Sequence, residues 1–238
     1  MFYQLDWDTE FFGVKCGRLL VDDVSELSDV KDEDFQKYDF TSIYNVNNEP
    51  TVNKWIGENT IAFLVDVNVQ LEKKALSARD EADAEIIIEN ATEIDKETVD
   101  QMSVERDDFK YSKFVRDEKL SERDGYCVYK EWLKNSLKAE HKYFAYYPSG
   151  DTVGGYILFS VNEEDKAVTI ELAKVNENLR GRRVATRMLD AVERFAVLEG
   201  YRKLRVGTQM NNIPAINLYH SRGYKETSRT SVFHLWNI

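Results

Sequence analysis

Short apolar runs alternate with polar breaks along this chain, and no single hydrophobic pattern persists for long. Residues 41–46 and 61–71 read as strands, with a short helix over residues 50–59 between them, which predicts a small α/β unit. The acidic stretch at residues 77–83 has the polar character of a connection, and residues 84–88 read as the next strand. Asp124 is expected to cap a helix running through Leu137, with Tyr126, Tyr129, Leu133 and Leu137 at helical spacing as a core stripe. Three apolar-rich runs at residues 143–147, 153–161 and 168–175, parted by turn sequences at 148–151 and 162–165, predict an antiparallel meander. A helix follows over residues 182–198, with Val184, Met188, Val192 and Phe195 on one face and Gly200 at its end. Residues 203–208 form a strand. Asn211 or Asn212 caps a short helix that tolerates Pro214 in its first turn and stops at Gly223, and residues 229–236 close as the last strand.

Composition narrows the setting. A chain of 238 residues can bury one large core or two small ones, and the pattern shift near residues 78–85 divides it into a small unit over 1–83 and a larger one over 84–238. With 32 basic and 43 acidic residues the net charge is -11, a field that repels phosphate backbones, so nucleic acid is not an expected partner. Cys16 and Cys127 show no ligand spacing and have no nearby histidine, which points to reduced structural thiols and implies no metal. The first eight residues lack the basic start and apolar run of an export signal, and charges interrupt every hydrophobic run before the ~20 residues of a membrane helix. A cytoplasmic protein without membrane contact is expected, and a homodimer is kept as a candidate assembly.

Candidate chemistry gathers in the C-terminal half. A strand leads through Asn178 and Arg180-Gly181-Arg182-Arg183-Val184-Ala185-Thr186 directly into an amphipathic helix, so several backbone N–H groups are free at one helix N-terminus. Three arginines there suit a pyrophosphate, although an ordinary strand-loop-helix with a solvated basic start fits the bare motif as well. One strand downstream comes Asn212-Ile-Pro-Ala215-Ile-Asn-Leu-Tyr219-His-Ser-Arg-Gly223-Tyr224. Together the two segments resemble the GNAT superfamily, in which Gln/Arg-x-x-Gly-x-Gly/Ala cradles the coenzyme A pyrophosphate and Asn-x-x-Ala-x-x-x-Tyr-x-x-x-Gly-Phe/Tyr follows. Arg180 and Ala185 fit the ends of the first pattern, Arg183 stands where it has glycine, and a residue there in helical φ/ψ does not need glycine. The second pattern is matched throughout.

The segment Leu5-Asp-Trp7-Asp8-Thr-Glu-Phe11-Phe12-Gly13 with Arg18, the run Arg205-Val-Gly-Thr-Gln209-Met-Asn211, and Tyr111-Ser112-Lys113-Phe114 are similar to segments of the dTDP-4-amino-4,6-dideoxygalactose (dTDP-fucosamine) N-acetyltransferases. The resemblance implies a GNAT fold of the α/β class, with a mixed, centrally splayed sheet flanked by helices and a small N-terminal α/β unit that helps form the acceptor site. It implies acetyl-CoA as donor, bound by Arg180 to Thr186, Asn212, Ala215 and Tyr219. The acceptor would be a nucleotide-linked amino sugar. Direct attack in a ternary complex needs an acid for the departing thiolate, and the resemblance gives this role to Tyr219, whose alternative is to pack the helix on the sheet. An oxyanion-binding amide is implied within residues 172–175, so that Leu172, Lys174 and Val175 join the cofactor site.

Glu171, the only carboxylate inside that strand, is the candidate base, and alternation, which groups it with Thr169 and Ala173, equally allows a solvent-facing role. Lys113, Arg116 and Arg205 are candidate cations for the sugar diphosphate, with Ser112, Phe114 and Gln209 among the acceptor residues. Trp7, Phe11 and Phe12 form an aromatic wall of that pocket or plain core. His220 lies about 100° around its helix from Tyr219, while His141 and His234 stand alone. Two alternatives stay open: a GNAT acting on a protein or small-molecule amine, and a non-catalytic coenzyme A-binding module.

Overall fold

The computed structural model describes residues 2–75, 83–102, 104–105 and 107–237. The N-terminal part supplies β1 (Phe2–Gln4), α1 (Asp6–Phe12), β2 (Cys16–Val21), a 3-10 turn at Val24–Leu27, α2 (Asp32–Phe35), β3 (Phe40–Asn45), α3 (Pro50–Asn59) and β4 (Phe63–Lys74). It continues with β5 (Ile87–Asn90), α4 (Lys96–Gln101), α5 (Lys113–Arg116), α6 (Glu118–Ser121), α7 (Cys127–Ser136), β6 (Lys142–Ser149), β7 (Thr152–Asn162) and β8 (Ala167–Val175). A second 3-10 turn at Glu177–Leu179 precedes α8 (Val184–Leu198), β9 (Lys203–Gln209), α9 (Ile213–Ser221) and β10 (Lys225–Trp236).

All ten strands join one sheet in the order β1-β2-β3-β10-β4-β9-β8-β7-β6-β5. β2 with β3 and β8 with β9 run parallel, and the remaining neighbours run antiparallel, so the sheet is mixed. The expected unit over residues 1–83 therefore has no sheet of its own: β4 sits between β10 and β9, pairing Val232 with Asp66 on one side and Gln209 with Asn68 on the other. Its length explains this placement, because a strand of 12 residues with Val65, Val69 and Leu71 buried can satisfy two partners at once. Of the acidic connection expected at 77–83, residues 77–82 lie outside the described residues.

The expected α3 and the meander appear close to their expected bounds. The helix expected from Asp124 is shorter, starting at Cys127 and ending at Ser136, which leaves Tyr126 before it and Leu137 after it. Asp124 has φ 57, a left-handed turn conformation incompatible with an N-cap, whereas Tyr129 and Leu133 are buried as their spacing requires.

Helices cover both faces. On one, Met188, Leu189 and Val192 of α8 pack with Ile157, Val168, Ile170 and Val206 of the sheet. On the other, Val99 of α4 and Tyr129 and Leu133 of α7 pack with Phe144, Tyr156, Leu158 and Leu172. Each such side chain contributes about 1.5–3 kcal/mol by leaving water. Around the N-terminal strands, Val52 and Ile56 of α3 pack with Ile43, Phe233 and Leu235, while Phe12, Leu120 and Val128 pack with Phe40 and Trp236.

Candidate active site

Two neighbouring parallel strands part in the middle of the sheet. β8 and β9 pair only from Ala167↔Lys203 to Ile170↔Val206, although β8 continues to Val175 and β9 to Gln209. A bulge lies at the parting point: on the β7 side Phe159 faces Ile170 and Leu158 faces Leu172, leaving Glu171 as an extra residue. Such an insertion bends a strand and sharpens its twist, which carries the end of β8 away from β9. Alternate amides of residues 172–175 consequently face the gap instead of a partner strand.

The bulge also resets the faces of β8. Val168 and Ile170 lie in the core under α8, whereas Leu172 lies in the core under α7. Glu171 turns to α7 too, its Oε2 accepting from Trp132 Nε1 at 2.8 Å and from Lys142 Nζ at 2.6 Å. The expected grouping of Glu171 with Ala173 fails for this reason, and Glu171 is part of an ion pair only 12% and 18% exposed, not a free carboxylate facing solvent. Lys174 pairs with Asp108 at 2.6 Å on the same side, and Val175 packs toward α8.

Below the gap, the Glu177–Leu179 turn leads into an exposed loop with Gly181 at φ 78 and Arg183 at φ 63, ψ 12. Arg183 is therefore left-handed, and the helical φ/ψ expected of it is wrong; glycine favours this position because Cβ crowds the next carbonyl there. α8 starts at once behind it, with Val184 buried and Ala185 and Thr186 half-buried in the first turn. The exposed arginines Arg180, Arg182 and Arg183 stand just before the positive end of a 15-residue helix, an arrangement that can attract an anion. Arg180 is braced by its Nε donating to the Val175 carbonyl at 3.3 Å.

α9 lies over the same face. Its N-cap Asn212 accepts from the Ala215 amide at 3.4 Å, and Pro214 occupies the first turn. Tyr219 is 5% exposed and belongs to the same core cluster as Ile170 and Val206, the last pair before the strands part. Burial pushes its phenol up to about 12, so the hydroxyl stays protonated at neutral pH.

The opposite face of the gap is polar and cationic. Cross-strand pairing puts Tyr44, Val232 and Asp66 in one row over β3, β10 and β4, and alternation continues it through Asn68, opposite Gln209, and Gln70. α5 covers this row: Lys113 Nζ donates to the Tyr44 hydroxyl and lies 4.9 Å from its ring centroid, while the Arg18 guanidinium lies 5.0 Å from the same ring. Burial raises the Tyr44 phenol, but Lys113 and Arg18 outweigh it and leave the phenol below its ordinary value. Asp8 of α1 has its carboxyl raised by burial against the pull of the same two cations. α5 is held tightly: Ser112 caps it and accepts from the Tyr129 hydroxyl at 2.6 Å, and a Cβ at Gly125 would meet the Phe114 carbonyl oxygen at 2.1 Å.

Of the residues expected around the acceptor, Lys113, Phe114, Arg116 and Gln209 border this face, while Ser112 is buried support. Phe12 is core, 5% exposed and 6.0 Å from Phe114, so the wall expected from it is packing; Trp7 is exposed and stacked on Phe11 at 4.9 Å. Sequence reasoning missed Tyr44 and Asp66, although an aspartate breaking the apolar run Phe63-Leu64-Val65-Asp66-Val67 was a signal. It also missed that His234 does not stand alone. Its Nδ1 lies 2.6 Å from Asp117 Oδ2, which also accepts from Trp236 Nε1 at 2.9 Å.

A parted parallel pair, a basic loop at a helix N-terminus below it and a buried phenol beside it thus meet in one part of the sheet. The model of the Acetyltransferase (GNAT) family matches residues 103–224, just over half of the 238, and the chain belongs to that family. The spore coat polysaccharide biosynthesis protein SpsD of Bacillus subtilis is 26% identical over 131 residues, 55% of this chain and 45% of that protein. The match thus spans less than half of the relative's length. A GCN5-related N-acetyltransferase from Sphaerobacter thermophilus shares the fold at 12% identity and TM-score 0.57, over 83% of this chain and 59% of that one. A conserved protein of unknown function from Staphylococcus epidermidis does so at 11% and 0.59, over 94% and 85%. Among the described residues no helix is long and apolar enough to cross a membrane.

Proposed function

We propose that the enzyme moves an acetyl group from acetyl-CoA to the amino group of a nucleotide-linked amino sugar, a dTDP-4-amino-4,6-dideoxy sugar in the first instance. One observation carries this reading: Arg18 and Lys113 gather at the Tyr44 ring, and Arg116 acts with Lys113 on Asp66 in the same polar row, in a chain whose net charge is -11. A sugar nucleotide needs those features together, cations for its diphosphate, an aromatic face, and amides and hydroxyls for its ring. The similarity to a protein named for spore coat polysaccharide biosynthesis supports the same class.

In this reading Arg180, Gly181, Arg182, Arg183, Val184, Ala185 and Thr186 bind the coenzyme A diphosphate through backbone N–H groups and positive charge. The acyl end lies in the gap, with Asn212 and Ala215 at its rim and an amide among residues 172–175 receiving the developing oxyanion. Tyr219 gives its proton to the departing sulfur. Trp7 and Phe11, stacked at the edge of α1, offer a flat surface to the acceptor.

The test is release of free thiol from acetyl-CoA with a panel of dTDP- and UDP-linked amino sugars, free amino sugars and peptide amines. Turnover with a dTDP-4-amino sugar at a kcat/KM about 100-fold or more above the free amino sugar supports the reading. Preference for a peptide or a simple amine sinks the sugar assignment and leaves the acetyltransferase in place.

A further inference from the structure

The acceptor arrives as an ammonium, and a carboxylate with room to bind is the side chain best suited to hold it and take its proton. Glu171 is occupied by Trp132 and Lys142. Asp66 differs. It is 6% exposed, and its Oδ1 is buried without a hydrogen-bond partner. A buried carboxylate oxygen without a partner in the chain carries a desolvation cost that a bound ammonium would relieve.

Its position fits that partner. The next residue on β4, Val67, accepts from the Met210 amide at 2.8 Å, just where β9 ends after parting from β8. Asp66 therefore stands beside the mouth of the gap on the face covered by α5 and α7, while Tyr219 belongs to the core of the opposite face. An amine held by Asp66 approaches the thioester from one side as the sulfur leaves toward Tyr219 on the other.

We propose that Asp66 binds the ammonium group of the acceptor and takes its proton, acting as the general base of acetyl transfer. One proton passes from nitrogen to the Asp66 carboxylate, and the freed electron pair forms the N–C bond. As the C–S bond then breaks, Tyr219 donates its proton to sulfur. The second proton lost by nitrogen returns through solvent to the phenolate, and Asp66 releases the first to water. The balance is one ammonium and one thioester to one amide, one thiol and one proton. The inference rests on the acetyltransferase reading and deepens it, and it holds for any amine acceptor.

Burial raises the Asp66 carboxyl to about 6, opposed by the Val67 amide and by Arg116 and Lys113, which puts its titration in the range a base working near neutrality needs. The other groups on this face are Arg18 of β2, Tyr44 of β3, His234 of β10, Tyr129 of α7, Asp117 at the start of α6 and Asp8 of α1. His234 is depressed to about 4 by burial and Tyr129 raised to about 12, so neither titrates near 6. The carboxyls of Asp117 and Asp8 are the groups to be separated from Asp66 by mutation.

The experiment is the pH dependence of kcat/KM for wild type, Asp66→Asn and Asp66→Glu with the best amine of the panel, beside acetyl-CoA binding by calorimetry. Wild type should lose activity below about pH 6. Asp66→Asn should fall about 100-fold or more at pH 7 and lose that acid limb, with acetyl-CoA affinity within about 3-fold, and Asp66→Glu should recover part of the rate. Activity of Asp66→Asn within about 3-fold of wild type, or an unchanged acid limb, overturns the proposal. If no amine in the panel is turned over, the sugar reading fails and Asp66 is judged separately, by carbon NMR titration of its carboxyl in the coenzyme A complex. Methylammonium should then lower its midpoint, and a midpoint that saturating methylammonium leaves in place overturns the assignment.

Discussion

Glu171 and Leu172 follow one another along β8, yet both reach α7, Glu171 through Trp132 Nε1 at 2.8 Å and Leu172 through the core that holds Tyr129 and Leu133. Regular alternation sends consecutive side chains to opposite faces; the bulge removes that constraint. The same inserted residue ends the pairing with β9, so one local irregularity both opens the gap and anchors its wall to the helix above.

That anchor is testable. Replacing Lys142 by Met leaves a carboxylate that is 12% exposed without its ion partner, and should destabilise the protein by roughly 1–3 kcal/mol in chemical denaturation. The double variant Lys142→Met with Glu171→Gln should recover part of the loss, because no uncompensated charge remains. Strict additivity of the two single changes would argue against a coupled anchor.

Tyr219→Phe should lower kcat by about 10-fold or more while acetyl-CoA affinity stays within about 3-fold. With the phenol pushed up to about 12, the wild-type rate should show no loss from its ionisation up to about pH 10. A rise in KM alone, with kcat intact, would assign Tyr219 to packing.

Arg183 has φ 63 without being glycine. Arg183→Gly should therefore stabilise the fold by about 1 kcal/mol, seen as a higher Tm, while Arg183→Val should destabilise it. Acetyl-CoA binding by Arg183→Gly should weaken at low salt and approach wild type at high salt, since only a screened charge is lost.

Asp66 carries a stability signature independent of activity. Its carboxyl rises from 3.8 to about 6 on folding, so the folded state holds the proton more tightly, and its contribution to stability falls by roughly 2–3 kcal/mol as pH rises from 4 to 6. Asp66→Asn removes that loss and should be more stable than wild type at pH 7.5, with the difference vanishing near pH 4. His234 acts oppositely: depressed from 6.5 to about 4, it withdraws stability as pH falls through that interval. In Asp66→Asn its slope stands unopposed, and acidification from pH 6.5 should lower Tm more steeply than in wild type. Parallel pH profiles of the two proteins would contradict the burial of an ionisable Asp66.

Much of the scaffold was legible in the chain. The α3 and α8 patterns, the meander of β6 to β8 and the Asn212-to-Tyr224 segment all depend on neighbours within a few turns, and periodicity, caps and Gly/Pro placement report such neighbours directly. The GNAT motifs belong to the same local class, which is why α8 and α9 stand close to their expected places. Arg183 escaped because a backbone angle at one position is decided by how a strand end and a helix start are joined, and its side-chain identity argues the wrong way.

The sequence by itself determined α3, the meander and the helices α8 and α9, since each follows from residues close together along the chain. Tertiary structure alone decided that β4 from the N-terminal part fills the place between β10 and β9, and so brings Asp66 next to the end of β9. It alone joined Asp117 to His234 and aimed Arg18 and Lys113 at one tyrosine ring. Strand pairing between segments more than a hundred residues apart is chosen by the total burial and hydrogen bonding of the whole sheet, a sum to which no short stretch of sequence holds the answer.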